Sequence, residues 1–198
     1  MPSLKELSED FTSPPENIVN LPNLEEWGHM DEQRLRLAVK IPSLKRLHIS
    51  SNIKTIPSEL GDLHNLQELD IWSENIQEIP DSIGALKSLK KLDIGRYKQE
   101  SLPESIGMLD ALEELKINSQ AITKIPESIG NLHNLKELYI HGKNITQLPE
   151  SVGNLKNLEV LDLSETSIKK LPQSINDMTS LKYIDLRDSD LEELNVDF

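Results

Sequence analysis

Residues 112–134 read LEELKINSQAITKIPESIGNLHN, and the same 23-residue phrase recurs on either side with its apolar letters unchanged or nearly so. Leu112, Leu115 and Ile117 open this copy, Ile122 and Ile125 follow, Pro126 comes next, and Ile129-Gly130 and Leu132 close it. The ruler is set by Pro57, Pro80, Pro103, Pro126, Pro149 and Pro172, each 23 residues from the next. An internal period of about 20–30 residues is the mark of a solenoid, in which each unit contacts only its neighbours.

The opening motif supplies the reason such a unit folds. It reads Leu44-Leu47-Ile49, Leu66-Leu69-Ile71, Leu89-Leu92-Ile94, Leu112-Leu115-Ile117, Leu135-Leu138-Ile140, Leu158-Leu161-Leu163 and Leu181-Ile184-Leu186. Its last two members alternate with polar residues, the period of a half-buried strand. One such strand is too short to stand alone. Stacked one per repeat, the strands make a parallel sheet at about 4.8 Å spacing, and the inward Leu and Ile form a continuous core. Proline then fixes φ and removes a donor, marking the turn to the outer face. Glycine at 61, 84, 107, 130 and 153, with Asn176 in the sixth place, predicts a left-handed turn there. The return segment is too short for much α-helix, so extended or 3₁₀ structure is expected on the convex side.

The Leu-Pro-x-x-Ile-Gly-x-Leu-x-x-Leu wording resembles the leucine-rich repeat family, in the 23-residue class found in intracellular Ras-group proteins, plant immune receptors and bacterial repeat proteins. The resemblance covers residues 42–194. It implies an α/β solenoid with a curved parallel β-sheet on its concave face, extended and 3₁₀ segments on the convex face, and binding of other proteins by the concave sheet. The family's usual Asn column is broken: the positions read Asn52, Glu74, Tyr97, Gln120, Lys143, Thr166 and Ser189. Buried backbone groups need partners, so water or a different turn must replace the missing amides. Gln99 falls on an apolar position, and an irregularity is expected at residues 95–101.

The ends depart from the repeat. Residues 1–41 are read as an N-terminal helical cap, 42–194 as the solenoid of about seven copies, and 195–198 as a tail. Met30 to Val39 reads as a short helix with Asp31 as N-cap. Leu4, Leu7 and Phe11 predict an earlier helical turn ended by Pro14-Pro15, and Leu21, Leu24 and Trp27 read as the start of a degenerate repeat. Beyond Leu186, only Leu191, Leu194, Val196 and Phe198 are left to fold over the last repeat. The acidic residues around them read as solubilising an open end.

Composition narrows function. The net charge is −13, so nucleic acid and anionic membrane surfaces are not expected partners. There is no cysteine, which excludes disulfides, thiolate metal sites and cysteine nucleophiles, including the catalytic cysteine of bacterial ubiquitin-ligase effectors in the family. No signal-peptide pattern opens the chain, and no apolar run approaches the ~18 residues of a membrane span. A monomer in the cytoplasm is the expectation, with delivery from a bacterium into a host cell as the alternative setting.

Alternation across the strands assigns three rows to the concave face. One row is Arg46, Glu68, Lys91, Glu114, Glu137, Val160 and Tyr183. The middle row is His48, Asp70, Asp93, Lys116, Tyr139, Asp162 and Asp185. The last row is Ser50, Trp72, Gly95, Asn118, His141, Ser164 and Arg187. Seven acidic against four basic residues make the face mildly acidic. Trp, Tyr and Arg dominate interface hot spots, so partner contact is assigned to Trp72 with Arg96, Tyr139 with His141, and Tyr183 with Arg187, beside Asp70 and Asp93. The pairs Asp70/Asp93 and Asp162/Asp185 have the oxygens of a Ca²⁺ site or an acid/base pair. The plainer reading is a charged ladder neutralised by Lys91, Arg96 and Arg187. The histidines are too far apart to form a site. Serines 82, 105, 128, 151 and 174 are read as turn residues, and Asn144-Ile145-Thr146 as a sequon without a secretory context. The expectation is a non-enzymatic scaffold with no catalytic residue, cofactor or metal, binding a more basic protein.

Overall fold

A computed structural model describes residues 4–7, 16–50 and 53–193. Among these described residues nine strands, all parallel, lie side by side in chain order: β1 (Glu6–Leu7), β2 (Glu26–Met30), β3 (Arg46–Ser50), β4 (Glu68–Trp72), β5 (Lys91–Gly95), β6 (Glu114–Asn118), β7 (Glu137–His141), β8 (Val160–Asp162) and β9 (Tyr183–Asp185). The register is residue-for-residue from β3 onward: Leu47, Leu69, Leu92, Leu115, Leu138 and Leu161 align in one column, with Ile184 at its end. Across that column the exposure is essentially nil until Ile184, which packs against the core only in part. After β3 the six prolines each precede a five-residue 3₁₀ turn, from Ser58–Asp62 to Gln173–Asp177. The chain is thus a leucine-rich-repeat-type solenoid, sheet on one side and 3₁₀ turns on the other.

The sheet begins earlier than the sequence reading placed it. Within residues 1–41 lie β1 and β2, with β2 paired to β3 through Glu26↔Arg46 and Trp27↔Leu47. Leu24 and Trp27 are fully buried, so the copy begun by Leu21, Leu24 and Trp27 is a working repeat. Its helix α1 (Glu32–Ala38) starts at Asp31, whose carboxylate accepts from Arg34 N at 2.7 Å. The earlier helical turn is not formed at Leu7, which is in β1; Phe11 and Pro14-Pro15 lie outside the described residues. At the other end Leu181, Ile184, Leu186 and Leu191 are only partly buried, while Leu194, Val196 and Phe198 lie outside the described residues.

The glycines serve a different purpose from the one expected. None of Gly61, Gly84, Gly107, Gly130 and Gly153 has positive φ. Each faces the next turn so closely that a Cβ would stand 2.3–2.7 Å from the carbonyl oxygen of the following repeat's serine: Ser82, Ser105, Ser128, Ser151 or Ser174. Close backbone approach, not left-handedness, selects Gly. Positive φ occurs instead just after the strands, at Arg96 (56°), Gly142 (157°), Glu165 (58°) and Asp188 (55°). In the same place two other repeats carry Ser73 and Ser119, both buried, which donate to Ile53 O and Tyr97 O of the preceding repeat. Each of these serines also accepts from a backbone N–H just ahead. Two turn types therefore replace the missing Asn column, while Asn52 lies outside the described residues. A different amide column appears on the return segment: Asn65, Asn134 and Asn157 donate to Pro42 O, Asp110 O and His133 O at 2.7–2.9 Å.

The irregular third repeat has a simple cause. The column Ile53, Ile76, Ile122, Ile145 and Ile168 is buried throughout, but Gln99 holds the corresponding place and is exposed. Tyr97, two residues earlier, turns inward and is 3% exposed. Its hydroxyl meets the backbone of Ile79, and burial raises its pKa. The left-handed Arg96 makes that inward turn possible.

Candidate binding face

The three concave rows appear as the alternation requires, and no described element covers them. Their central part is built by β4 to β7. In one row Trp72, Gly95, Asn118 and His141 pair in register; in the next, Asp70, Asp93, Lys116 and Tyr139 do so. Gly95 lacks a side chain, and the Trp72 indole lies over the gap: a Cβ on Gly95 would stand 2.6–2.8 Å from the Trp72 ring carbons. One indole face is thereby packed and the residue is half-buried.

Beyond the indole is a recess of about 190 Å³ lined by Trp72, Asp93, Lys116, Ile117, Asn118, Tyr139 and His141. Four predicted contact residues (Trp72, Asp93, Tyr139 and His141) meet there, with Asp70 beside Asp93 in register. Sequence reasoning missed three contributors: Gly95, whose missing side chain seats the indole, and the liners Lys116 and Asn118. Lys116 stands 5.1 Å from the centre of the Tyr139 ring and 2.5 Å from Glu114. Tyr139 donates its hydroxyl to Glu137 at 2.7 Å, which with partial burial pushes its pKa up to about 12. His141 Nε2 is 3.2 Å from Asp162 without the alignment of a hydrogen bond.

The other predicted residues fall elsewhere. Arg96 does not sit on Trp72; it lines a neighbouring hollow with Glu74, Tyr97, Lys98, Asn118, Gln120 and Ala121. Tyr183 and Arg187 are at the last strand, five strands or about 24 Å from Trp72 at sheet spacing. Both side chains are exposed and bond to Asp185. Arg187 donates to Asp185 Oδ2 through Nε (2.9 Å) and Nη2 (2.6 Å), its backbone N–H donates to Oδ1, and Tyr183 donates its hydroxyl at 3.0 Å. The Arg187 bonds hold the Asp185 carboxyl far below the usual carboxylate range.

The expected neutralisation of the aspartate ladder is therefore only partly correct. Arg187 does neutralise Asp185, but Lys91 pairs with Glu114 at 2.9 Å, and Arg96 forms no ion pair among the described residues, adding only a minor pull on Glu74, whose partner is Lys98. Asp70 is left with His48 at 3.5 Å, and Asp93 forms no ion pair among the described residues. Burial, then the neighbouring Asp70, raise the Asp93 pKa, against the opposing pull of Lys116 and the Trp72 indole N–H. No three His, Asp or Glu side chains among the described residues converge as a metal site. No helix there is long and apolar enough to cross a membrane.

Comparison with known proteins fits this geometry. The family model described as "leucine-rich repeat region" matches residues 17–142 and 123–194. The chain belongs to the leucine-rich repeat family. No curated protein matches it. Among solved structures it is similar to the plant peptide hormone receptor RGFR1 in complex with RGF2 (28% identity, TM-score 0.74), covering 90% of this chain and 31% of the receptor chain. The leucine-rich repeat domain of the type III effector XopL shares the fold at 22% identity and TM-score 0.70, over 92% of this chain and 75% of that one. So does TLR13 in complex with ssRNA13, at 21% identity and TM-score 0.68, over 98% of this chain and 34% of that one. A leucine-rich repeat protein of Leptospira interrogans is similar over 98% of this chain and 63% of its own (23% identity, TM-score 0.65). The chain thus spans less than two thirds of the length of RGFR1, TLR13 and the Leptospira protein.

Proposed function

We propose that this chain is a non-enzymatic binding module whose concave sheet takes a protein partner more basic than itself. The observation that carries the reading is the recess on that face, where half-buried Trp72, Tyr139 and His141 surround charged groups. Amphipathic aromatics in a partly desolvated hollow are the composition of an interaction hot spot. The receptor RGFR1 in its complex with RGF2 lends the reading support by likeness. TLR13 forms a complex with ssRNA13, so the fold by itself does not select against nucleic acid. The charge of −13 does.

The test is affinity capture with the wild-type chain beside a Trp72→Ala/Tyr139→Ala double variant, each checked for an unchanged melting curve. A basic protein retained by the first and lost by the second is the expected result. Equal capture by both would remove the concave face from the reading, and capture of RNA instead would replace the partner class.

A further inference from the structure

We infer that the recess beside Trp72 is a seat for one arginine side chain of the partner, stacked on the indole and held by Asp93 with Asp70. This rests on the binding-module reading above and specifies its chemistry. Four features point the same way. The recess, about 190 Å³, is smaller than the roughly 300 Å³ at which small-molecule pockets begin, so it suits the head of one side chain. Its Trp72 end is anionic, because Asp93 lines it and Asp70, the register partner of Asp93, stands on the adjacent strand about 4.8 Å away.

The cations of this face have carboxylate partners of their own: Arg46 pairs with Glu26, Lys91 with Glu114 and Arg187 with Asp185, and Lys116, which lines the recess at its Tyr139 end, pairs with Glu114. The Asp70/Asp93 pair has only His48 beside Asp70 and the distant pull of Lys116 on Asp93, with no direct arginine partner such as Arg187 gives Asp185. Finally, the indole is fixed with one face on Gly95, leaving the other for a planar cation. Arginine meets these conditions better than lysine, since its flat guanidinium stacks on an aromatic ring while its fork bonds more than one carboxylate oxygen.

The seat can be tested without knowing the partner. The ¹⁵N-labelled chain is titrated with N-acetyl-arginine methylamide and, separately, with N-acetyl-citrulline methylamide, which has the same shape without the charge. The Trp72 indole resonance is the readout, identified by its loss in Trp72→Phe; the buried Trp27 serves as an internal reference. The expected result is a saturable Trp72 shift with the arginine probe and binding at least roughly tenfold weaker with citrulline. Asp93→Asn should weaken the arginine probe by a similar factor, while Tyr183→Ala should leave it unchanged.

Equal binding of both probes, arginine binding that survives Asp93→Asn, or no saturable shift would each overturn the seat. Asp93→Asn is close to isosteric, and a superimposable spectrum away from the recess verifies its fold. A failed titration with capture still lost in the double variant sinks the arginine seat alone. Capture that survives the double variant sinks the broader reading.

Discussion

Glu165 adopts φ near +58°, a conformation that L-residues other than Asn and Asp rarely take. Its carbonyl accepts from Gly142 N and its N–H donates to Arg187 O, so the backbone is held there by the neighbouring repeats. Asparagine tolerates that conformation better, so Glu165→Asn should raise stability by about 0.5 kcal/mol, whereas the β-branched Glu165→Val should lower it by about 1 kcal/mol or more. Urea midpoints of the two variants would settle this, and a loss in both would mean the side chain, not φ, matters. The glycines divide the same way. A Cβ at Gly107 would meet the backbone oxygen of Ser128 at 2.3 Å, and backbone cannot step aside. A Cβ at Gly95 would meet only a half-buried indole. Gly107→Ala should therefore cost about 2–3 kcal/mol and Gly95→Ala about 1 kcal/mol, the latter with a shift in Trp72 fluorescence. Equal costs by chemical denaturation would contradict the packing described here.

At the scale of the elements, each repeat works because its strand and its 3₁₀ turn bury a common set of aliphatic residues. That set was legible in the sequence, since Leu, Ile and Pro at fixed spacing leave few alternatives. The turn joining strand to convex side was not legible, because several local solutions satisfy the same backbone groups. Ser73 and Ser119 use a hydroxyl, whereas Arg96, Glu165 and Asp188 use a left-handed residue. Nor did a period count reveal that Tyr97 fills the gap left by Gln99, because the substitution is displaced by two positions. Tyr97→Ala should consequently behave as a core truncation, costing about 3–5 kcal/mol, while Gln99→Ala should be near neutral. The candidate face was legible as three rows, since strand alternation is strict. Its grouping was not: Arg96 lines a separate hollow with Glu74, and Arg187 is bound to Asp185, placements that no spacing rule supplies. The first repeat was concealed by α1, whose Asp31 cap is the kind of local signal that reads as a separate cap.

Across the whole molecule, the carboxylates set how stability depends on pH. Glu25, Glu74 and Glu113 are held below their ordinary values, chiefly by lysines one repeat away, and Glu114 is held low by Lys116 and Lys91 despite its burial. Asp185 is held low by Arg187. A lowered folded-state pKa means the unfolded chain binds protons more readily, so this stability is present above the unfolded carboxylate range of about 4 and is lost as pH falls. Asp93 runs the other way. Its folded pKa is raised, so its ionisation weighs against the fold, and that cost disappears once it is protonated in both states. Asp93→Asn should therefore raise the melting temperature at pH 7, and the gain should vanish by pH 3. Asp185→Asn should lower it at pH 7, where the Arg187 bonds are lost, and the difference should begin to narrow below about pH 4, as the unfolded wild-type carboxylate takes up a proton that the folded one still refuses. Melting curves of the three proteins from pH 7 to pH 3 would test both signs together. An Asp93→Asn variant less stable than wild type at pH 7 would show that its carboxylate is already balanced by Lys116 and the indole N–H.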